Sequence, residues 1–173
     1  MRIMPRFNGR LPGTVVAMLG IRPGERVVAW GAGPGADVTQ AHFTAATDRA
    51  LYVQSIGERI PWDRISKATW DDPVLDLVVL DDTRRPARLE RVRIDDAKDL
   101  PAAVHDRVTA SVVVSERVEL RPGAGALLVA RRGSDDDVIR WSVVFDVGLD
   151  PSDAQLRAAA DDALGGLRDA LGI

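Results

Sequence analysis

Runs with a two-residue apolar period, joined by connections too short to hold a helix, constrain this chain more than any other feature. Candidate strands occupy Glu25–Trp30, Ala41–Thr47, Ala50–Gln54, Ser66–Asp71, Leu75–Leu80 and Leu89–Ile94. Gly, Pro or Asp sits in most of the gaps, as hairpin turns require. A parallel crossover needs about a dozen residues or more, so consecutive strands without an intervening helix pair antiparallel. Further on, Val112, Val114, Val118 and Leu120 share one face opposite Ser115, Arg117 and Glu119, with Glu116 interrupting the apolar side. Ile139, Trp141, Val143, Phe145 and Val147 alternate with Arg140, Ser142 and Asp146, the pattern of a half-buried strand.

Helices fit three places. A short apolar segment, Thr14–Leu19, closes at Gly20, and a second helix spans about Asp99–Val108 with Pro101 in its first turn, where a missing N–H costs little. The third carries Leu156, Ala160, Ala163, Leu164, Leu167 and Leu171 on a single helical stripe. Asp150 reads as its N-cap, Pro151 as its first residue, and Asp153, Arg157 and Asp161 as an i,i+4 ladder. Gly165 and Gly166 imply a close backbone approach to a sheet, or fraying. The stripe fits packing on the chain's own sheet. The expected fold class is therefore α+β: an antiparallel strand meander, a middle helix, three further antiparallel strands and a C-terminal amphipathic helix. The expected divisions are residues 1–23, 24–110 and 111–173, the last packed on the same core.

Composition excludes several function classes. The 173 residues hold no cysteine, which removes disulfides, thiolate nucleophiles and Cys-ligated metals. A net charge of -3 gives no whole-molecule attraction to nucleic acid or an anionic membrane. No apolar run approaches the roughly 18 residues of a membrane span. Arg2, Arg6 and Arg10 precede the mild apolar run Leu11–Ile21 without a strong hydrophobic core or cleavage site, so the expected location is cytoplasmic. The basic residues are 21 Arg and only Lys67 and Lys98.

Between Gly24 and Val108 the strands carry Arg26-Val27-Val28-Ala29-Trp30, then Thr47-Asp48-Arg49-Ala50-Leu51-Tyr52-Val53, then a segment from Arg59 to Trp70. Thr47, Leu51 and Tyr52 match a T-x-x-R-L-Y strand, with the basic residue displaced to Arg49. Ile60, Pro61, Trp62, Ile65 and Ala68 match I-P-[YW]-x-x-I-x-x-[VA] at the next strand start. This half of the chain resembles the bacterial PH-like (GRAM-type) domain, as found in a group of actinobacterial proteins. The resemblance implies a barrel-like meander closed by a helix, and a non-enzymatic module that binds lipid, peptide or its own copies. The strands and helix after Val108 lie outside it.

A rival pattern begins at Val27-Val28-Ala29-Trp30-Gly31-Ala32-Gly33-Pro34-Gly35. It resembles the first motif of class I S-adenosylmethionine-dependent methyltransferases, which implies a cofactor held by Gly31, Gly33 and Gly35, with Asp48 on the ribose. That motif needs a helix over Ala36–Ala46, yet His42, Thr44 and Ala46 alternate there with Ala41, Phe43 and Ala45. A hairpin with glycines at positive φ is the expected alternative.

Catalytic constellations are thin. His42 and His105 lack metal-ligand spacing, and Asp135, Asp136 and Asp137 lack the calcium-loop pattern and read as a solvated hairpin tip. Trp62, Trp70 and Trp141 follow the strand alternation and read as packing. No catalytic residue, metal or cofactor is expected. The candidate anion or partner site is Arg84, Arg85, Arg88, Arg91 and Arg93, with Arg84 and Arg85 exposed at a turn marked by Pro86. Bidentate hydrogen bonds suit such arginines to phosphates or an acidic partner. The expected partners are a protein, a peptide or a second copy, with peripheral lipid as a weaker option and nucleic acid disfavoured.

Overall fold

The computed structural model describes residues 9–35 and 40–172, so Arg2, Arg6 and the start of the 36–46 segment lie outside the described residues. The fold is α+β, with three antiparallel sheets among the described residues. The first is a meander of β1 (Val27–Ala32), β2 (Phe43–Thr47), β3 (Ala50–Val53) and β4 (Glu58–Pro61). The second is a meander of β5 (Ile65–Asp71), β6 (Val74–Leu80) and β7 (Pro86–Arg93). The third, in the order β10-β9-β8, comprises β8 (Val112–Arg121), β9 (Ala124–Arg132) and β10 (Ile139–Phe145).

Turn chemistry explains the first meander. The Thr47 hydroxyl accepts from the backbone N–H groups of Arg49 and Ala50, at 3.1 and 2.9 Å, closing the β2–β3 turn. Its carbonyl accepts from the Trp62 indole at 3.0 Å. Both faces of β2 are covered, which is why its five residues are small or apolar with no charge. Phe43 and Ala45 pack with Val15 of α1 (Gly13–Leu19) and with Trp30, while Ala46 faces the central core. β4 and β9 are the strands for which no alternation was read, although three strands were expected after the middle helix. Ile60 and Pro61 end β4 rather than open the next strand, and Trp62–Arg64 form a 3-10 turn into β5.

β6 alternates as expected, with Leu75, Leu77 and Val79 buried. Ala32 and Asp96 exchange two backbone hydrogen bonds of 3.0 Å, tying the end of β1 to the chain after β7. α2 (Leu100–Ala110) then buries Leu100, Val104 and Val108 among Leu51, Ile65, Leu77 and Ile94. The spacing of those three residues on one helical face is what seats the helix.

The third sheet starts one residue beyond α2 and is tied back to it. Arg131, 6% exposed, donates to Val108 O, Ser111 Oγ and Ser66 O at 2.9, 2.7 and 3.0 Å. Burial pulls its pKa below the ordinary arginine value, and the three acceptors satisfy a guanidinium withdrawn from water.

α3 (Ala154–Leu171) differs from the expected start. Its N-cap is Asp153, whose carboxylate accepts from Gln155 and Leu156 N–H at 2.9 and 3.3 Å. Asp150 instead accepts from Ser152, and Pro151 precedes the helix. With Asp153 committed to the cap, no ion pair joins it to Arg157 or Arg157 to Asp161 among the described residues. Leu156 and Ala160 are buried, whereas Ala163, Leu164 and Leu167 are half-buried and Leu171 is exposed. No atom lies within 4 Å of a Cβ built at Gly165 or Gly166, so neither glycine marks a close approach.

Candidate binding groove

The arginine run is built on the β6–β7 loop and on β7, and its members have different fates. Asp81 organises the loop: its carboxylate accepts from Thr83 Oγ at 2.6 Å and from Arg85 N–H at 3.0 Å. Those hydrogen bonds hold the Asp81 carboxyl below the usual carboxylate value. Arg84 sits at φ +62, and its guanidinium turns inward rather than outward as the turn predicts. It donates to Asp63 Oδ2 and Asp63 O at 2.7 and 3.0 Å, with side chains 15% and 5% exposed respectively. Asp63 also accepts from Ser134 N–H at 3.2 Å, so one buried carboxylate joins the 3-10 turn, the β6–β7 loop and the β9–β10 turn. Nothing in the alternation marked Asp63 or Arg131 as buried, and each stands beside a second charged residue, Arg64 and Arg132, that reads the same way in sequence.

Three more arginines are matched on the surface. Arg88 pairs with Glu58 and lies 3.5 Å from Glu90; Arg91 pairs with Asp76 at 3.0 Å, and Arg93 with Asp95 at 2.8 Å. The hydrogen bonds from Arg88 and Arg91 lower the Glu58 and Asp76 pKa values. Pro86 opens β7 rather than marking a turn. The run is therefore not a free basic patch. Within the run, Arg85 alone makes no side-chain hydrogen bond or ion pair among the described residues, although its charge acts on Asp81.

Arg85 lines a groove of about 170 Å³. Thr83, Arg84 and Arg85 form one wall, while Trp141, Ser142, Val143 and Phe145 of β10 form the floor. Arg157, Ala160, Asp161 and Leu164 of α3 form the other wall. Arg157, like Arg85, makes no side-chain hydrogen bond or ion pair among the described residues. The volume is below the roughly 300–1,000 Å³ of cofactor and drug-sized pockets and matches one side chain or a small anion. The arginine bias drew attention to Arg85, but Arg157 was legible only as one rung of a helical ladder.

A roomier cleft of about 410 Å³ lies between α1 and β3–β4, lined by Met18, Arg22, Tyr52, Gln54 and Arg59 among others. Its charges are matched. Arg59 donates to Glu25 and Asp135 at 2.7 and 2.6 Å and to the Tyr52 hydroxyl at 3.2 Å. Burial opposes its charge, yet the bonds to Asp135, Glu25 and Tyr52 together hold its pKa above the ordinary value. Asp135, Asp136 and Asp137 are exposed in the β9–β10 turn, as expected; Asp135 there pairs with Arg59, and Asp136 pairs with Arg140, whose hydrogen bond lowers its carboxyl to about 2. Among the described residues no group of three or more acidic or histidine side chains is placed to hold a metal ion.

The glycine segment is built for packing. β1 pairs antiparallel with β2, Gly31 opposite Thr44, so the parallel crossover that a nucleotide-type loop needs is absent. Gly31, Gly33 and Gly35 do not adopt positive φ, contrary to the hairpin expectation. A Cβ at Gly31 would lie 2.7 Å from Ile94 and 2.9 Å from the Asp96 carbonyl. One at Gly33 would lie 2.7 Å from the Arg93 carbonyl, and one at Gly35 would lie 2.3 Å from the Ala41 nitrogen. Asp48 accepts from Arg26 N–H at 2.9 Å and so ties the β2–β3 turn to the chain before β1. His42 and His105 are exposed. Trp62 is buried and Trp70 packs against the core as expected, whereas Trp141 is half-buried on the groove floor.

No family model matches this chain, and neither a curated protein nor a solved structure matches it.

Proposed function

We propose that this chain is a non-enzymatic binding module whose recognition surface is the groove between the β6–β7 loop, β10 and α3. The observation that carries this is the pair of unpartnered guanidiniums, Arg85 and Arg157, facing one groove over Trp141 and Phe145. Unpaired arginines beside aromatic surface suit carboxylate or phosphate recognition, because the planar fork binds such groups bidentately. A PH-like reading of residues 24–110 is supported by the succession of a four-stranded meander, a three-stranded meander and a closing helix. In this reading the β-β-β-α extension supplies the partner site, and its ligand is an acidic protein segment. Lipid headgroups receive less support, since Arg84, Arg88, Arg91 and Arg93 already hold carboxylates. No helix among the described residues is long and apolar enough to cross a membrane.

The test is an NMR titration of the Trp141 indole N–H with poly-L-glutamate, with poly-L-lysine and phosphatidylserine vesicles as parallel arms. The expected result is a saturable shift with poly-L-glutamate that disappears in an Arg85→Glu/Arg157→Glu variant. A shift with vesicles alone replaces the protein partner by a lipid, and no shift in any arm contradicts the groove.

A further inference from the structure

β10 is an edge strand, and the bonds at its two ends fix which of its backbone groups face outward. Gly133 N–H donates to Val138 O at 2.8 Å, and Asp146 N–H donates to Gly125 O at 3.0 Å. Between them the register runs without a bulge, from Ile139 opposite Arg132 to Phe145 opposite Ala126. Antiparallel pairing alternates, so Arg140, Ser142 and Val144 direct N–H and C=O toward β9, and Trp141, Val143 and Phe145 direct theirs away. No strand lies beyond β10 in its sheet, and no loop hydrogen bond meets those outward groups among the described residues. Trp141, Val143 and Phe145 are also the residues that floor the groove between Arg85 and Arg157.

The other edge of this sheet is guarded. β9 uses alternate residues for its two neighbours, and Arg132 N–H donates to Ser111 O. With Val114 opposite Ala130 and Val118 opposite Ala126, the outward backbone positions of β8 are Ser115, Arg117 and Glu119. Charged side chains on an edge discourage strand addition. The outward positions of β10 carry Trp, Val and Phe and no charge.

Resting on the groove reading above, we infer that β10 accepts an extended acidic peptide segment as a fourth strand. Backbone hydrogen bonds to Trp141, Val143 and Phe145 hold it, and its carboxylates reach Arg85 and Arg157. Strand addition draws affinity from main-chain bonds and specificity from alternate side chains. The small cavity takes one such side chain, while successive residues on that face are about 6.7 Å apart along the edge. Asp161 also lines the groove, where Arg85 and Arg157 exceed it by one positive charge, while Asp81, held by Thr83 and the Arg85 N–H, acts on Arg85 from within the loop. A second copy of this chain would place the same arginines face to face, which favours an acidic partner over self-pairing.

The experiment uses the full chain and a fluorescein-labelled Glu-Val-Glu-Val-Glu-Val peptide, read by anisotropy. Its partners in the comparison are the Lys-Val counterpart and a version N-methylated at alternate residues, which cannot pair along one edge. The expected result is saturable binding of the Glu-Val peptide. Binding should weaken about tenfold or more for both comparison peptides, and equally for Arg85→Glu/Arg157→Glu, as lost charge-assisted and backbone hydrogen bonds imply. Both arginines are exposed or unpaired, so the variant keeps its fold, checked by circular dichroism. Equal binding of parent and N-methylated peptides overturns strand addition while leaving the arginine groove standing. Equal binding by the double variant, or none by the wild type, overturns both. A sedimenting dimer that the peptide does not dissociate puts a second copy on the edge and overturns the acidic-partner assignment.

Discussion

Arg84 donates to the buried Asp63 carboxylate at 2.7 Å, whereas the guanidinium of its neighbour Arg85 makes no hydrogen bond or ion pair among the described residues and lines the groove. Adjacent arginines in one loop therefore have opposite roles, one holding the architecture and one left for a partner. Truncating Arg84 strands a carboxylate that is 5% exposed. Arg84→Ala is expected to cost about 3–5 kcal/mol, as for other broken buried pairs. Arg85→Ala is expected to stay within about 0.5 kcal/mol, as surface substitutions do. Urea unfolding of the two variants checks this, and equal losses would contradict the division.

Gly31 faces Ile94 and the Asp96 carbonyl at distances that exclude a methyl group. Gly31→Ala is expected to destabilise the fold by about 1–3 kcal/mol through overpacking against backbone. Its midpoint of thermal unfolding should fall accordingly. An unchanged midpoint would mean that the closure between Ala32 and Asp96 yields easily.

Asp135 links the β9–β10 turn to Arg59, and the Arg59 hydrogen bond lowers its pKa from 3.8. A carboxylate whose pKa is depressed on folding adds stability above its unfolded value and loses it as pH falls through the folded one. The Asp135 contribution is thus complete at neutral pH and decays below about pH 3.8. Asp135→Asn should lower stability at neutral pH and flatten the decline on acidification. Parallel denaturation curves of wild type and variant across that range would contradict the linkage.

β10 was legible as a strand, but Ser142, expected on its wet face, is buried against Val129 O, and Val147 lies exposed beyond its end. The second meander was legible because β6 alternates cleanly and its connections are short. The C-terminal stripe from Leu156 to Leu167 was legible for the same reason, although its start was not. Pro151 and Asp150 offer a sound cap by residue type, but Asp153 has the geometry that reaches Gln155 and Leu156. β4 escaped because Glu58, Arg59, Ile60 and Pro61 carry no alternation and pair only with β3. The glycine segment misled twice, since glycine serves a phosphate cradle, a positive φ and a tight contact equally well in sequence. Only the approach of Ile94 and Asp96 to Gly31 chooses among them. The arginine run looked like one surface because charge spacing carries no record of partners. Glu58, Asp63, Asp76 and Asp95 come from separate elements and claim all but Arg85. Arg157 joins Arg85 only because α3 and the β6–β7 loop line the same groove beside β10, which no local pattern encodes.

The open edge of β10 is tested most directly by residue-resolved amide hydrogen exchange across residues 139–145. The expected profile alternates, with Arg140, Ser142 and Val144 protected by β9 and Trp141, Val143 and Phe145 exchanging fast. The fast set should slow on addition of the Glu-Val peptide. Uniform protection of all these amides in the free chain would mean that the edge is already covered, and would contradict the binding site proposed for it.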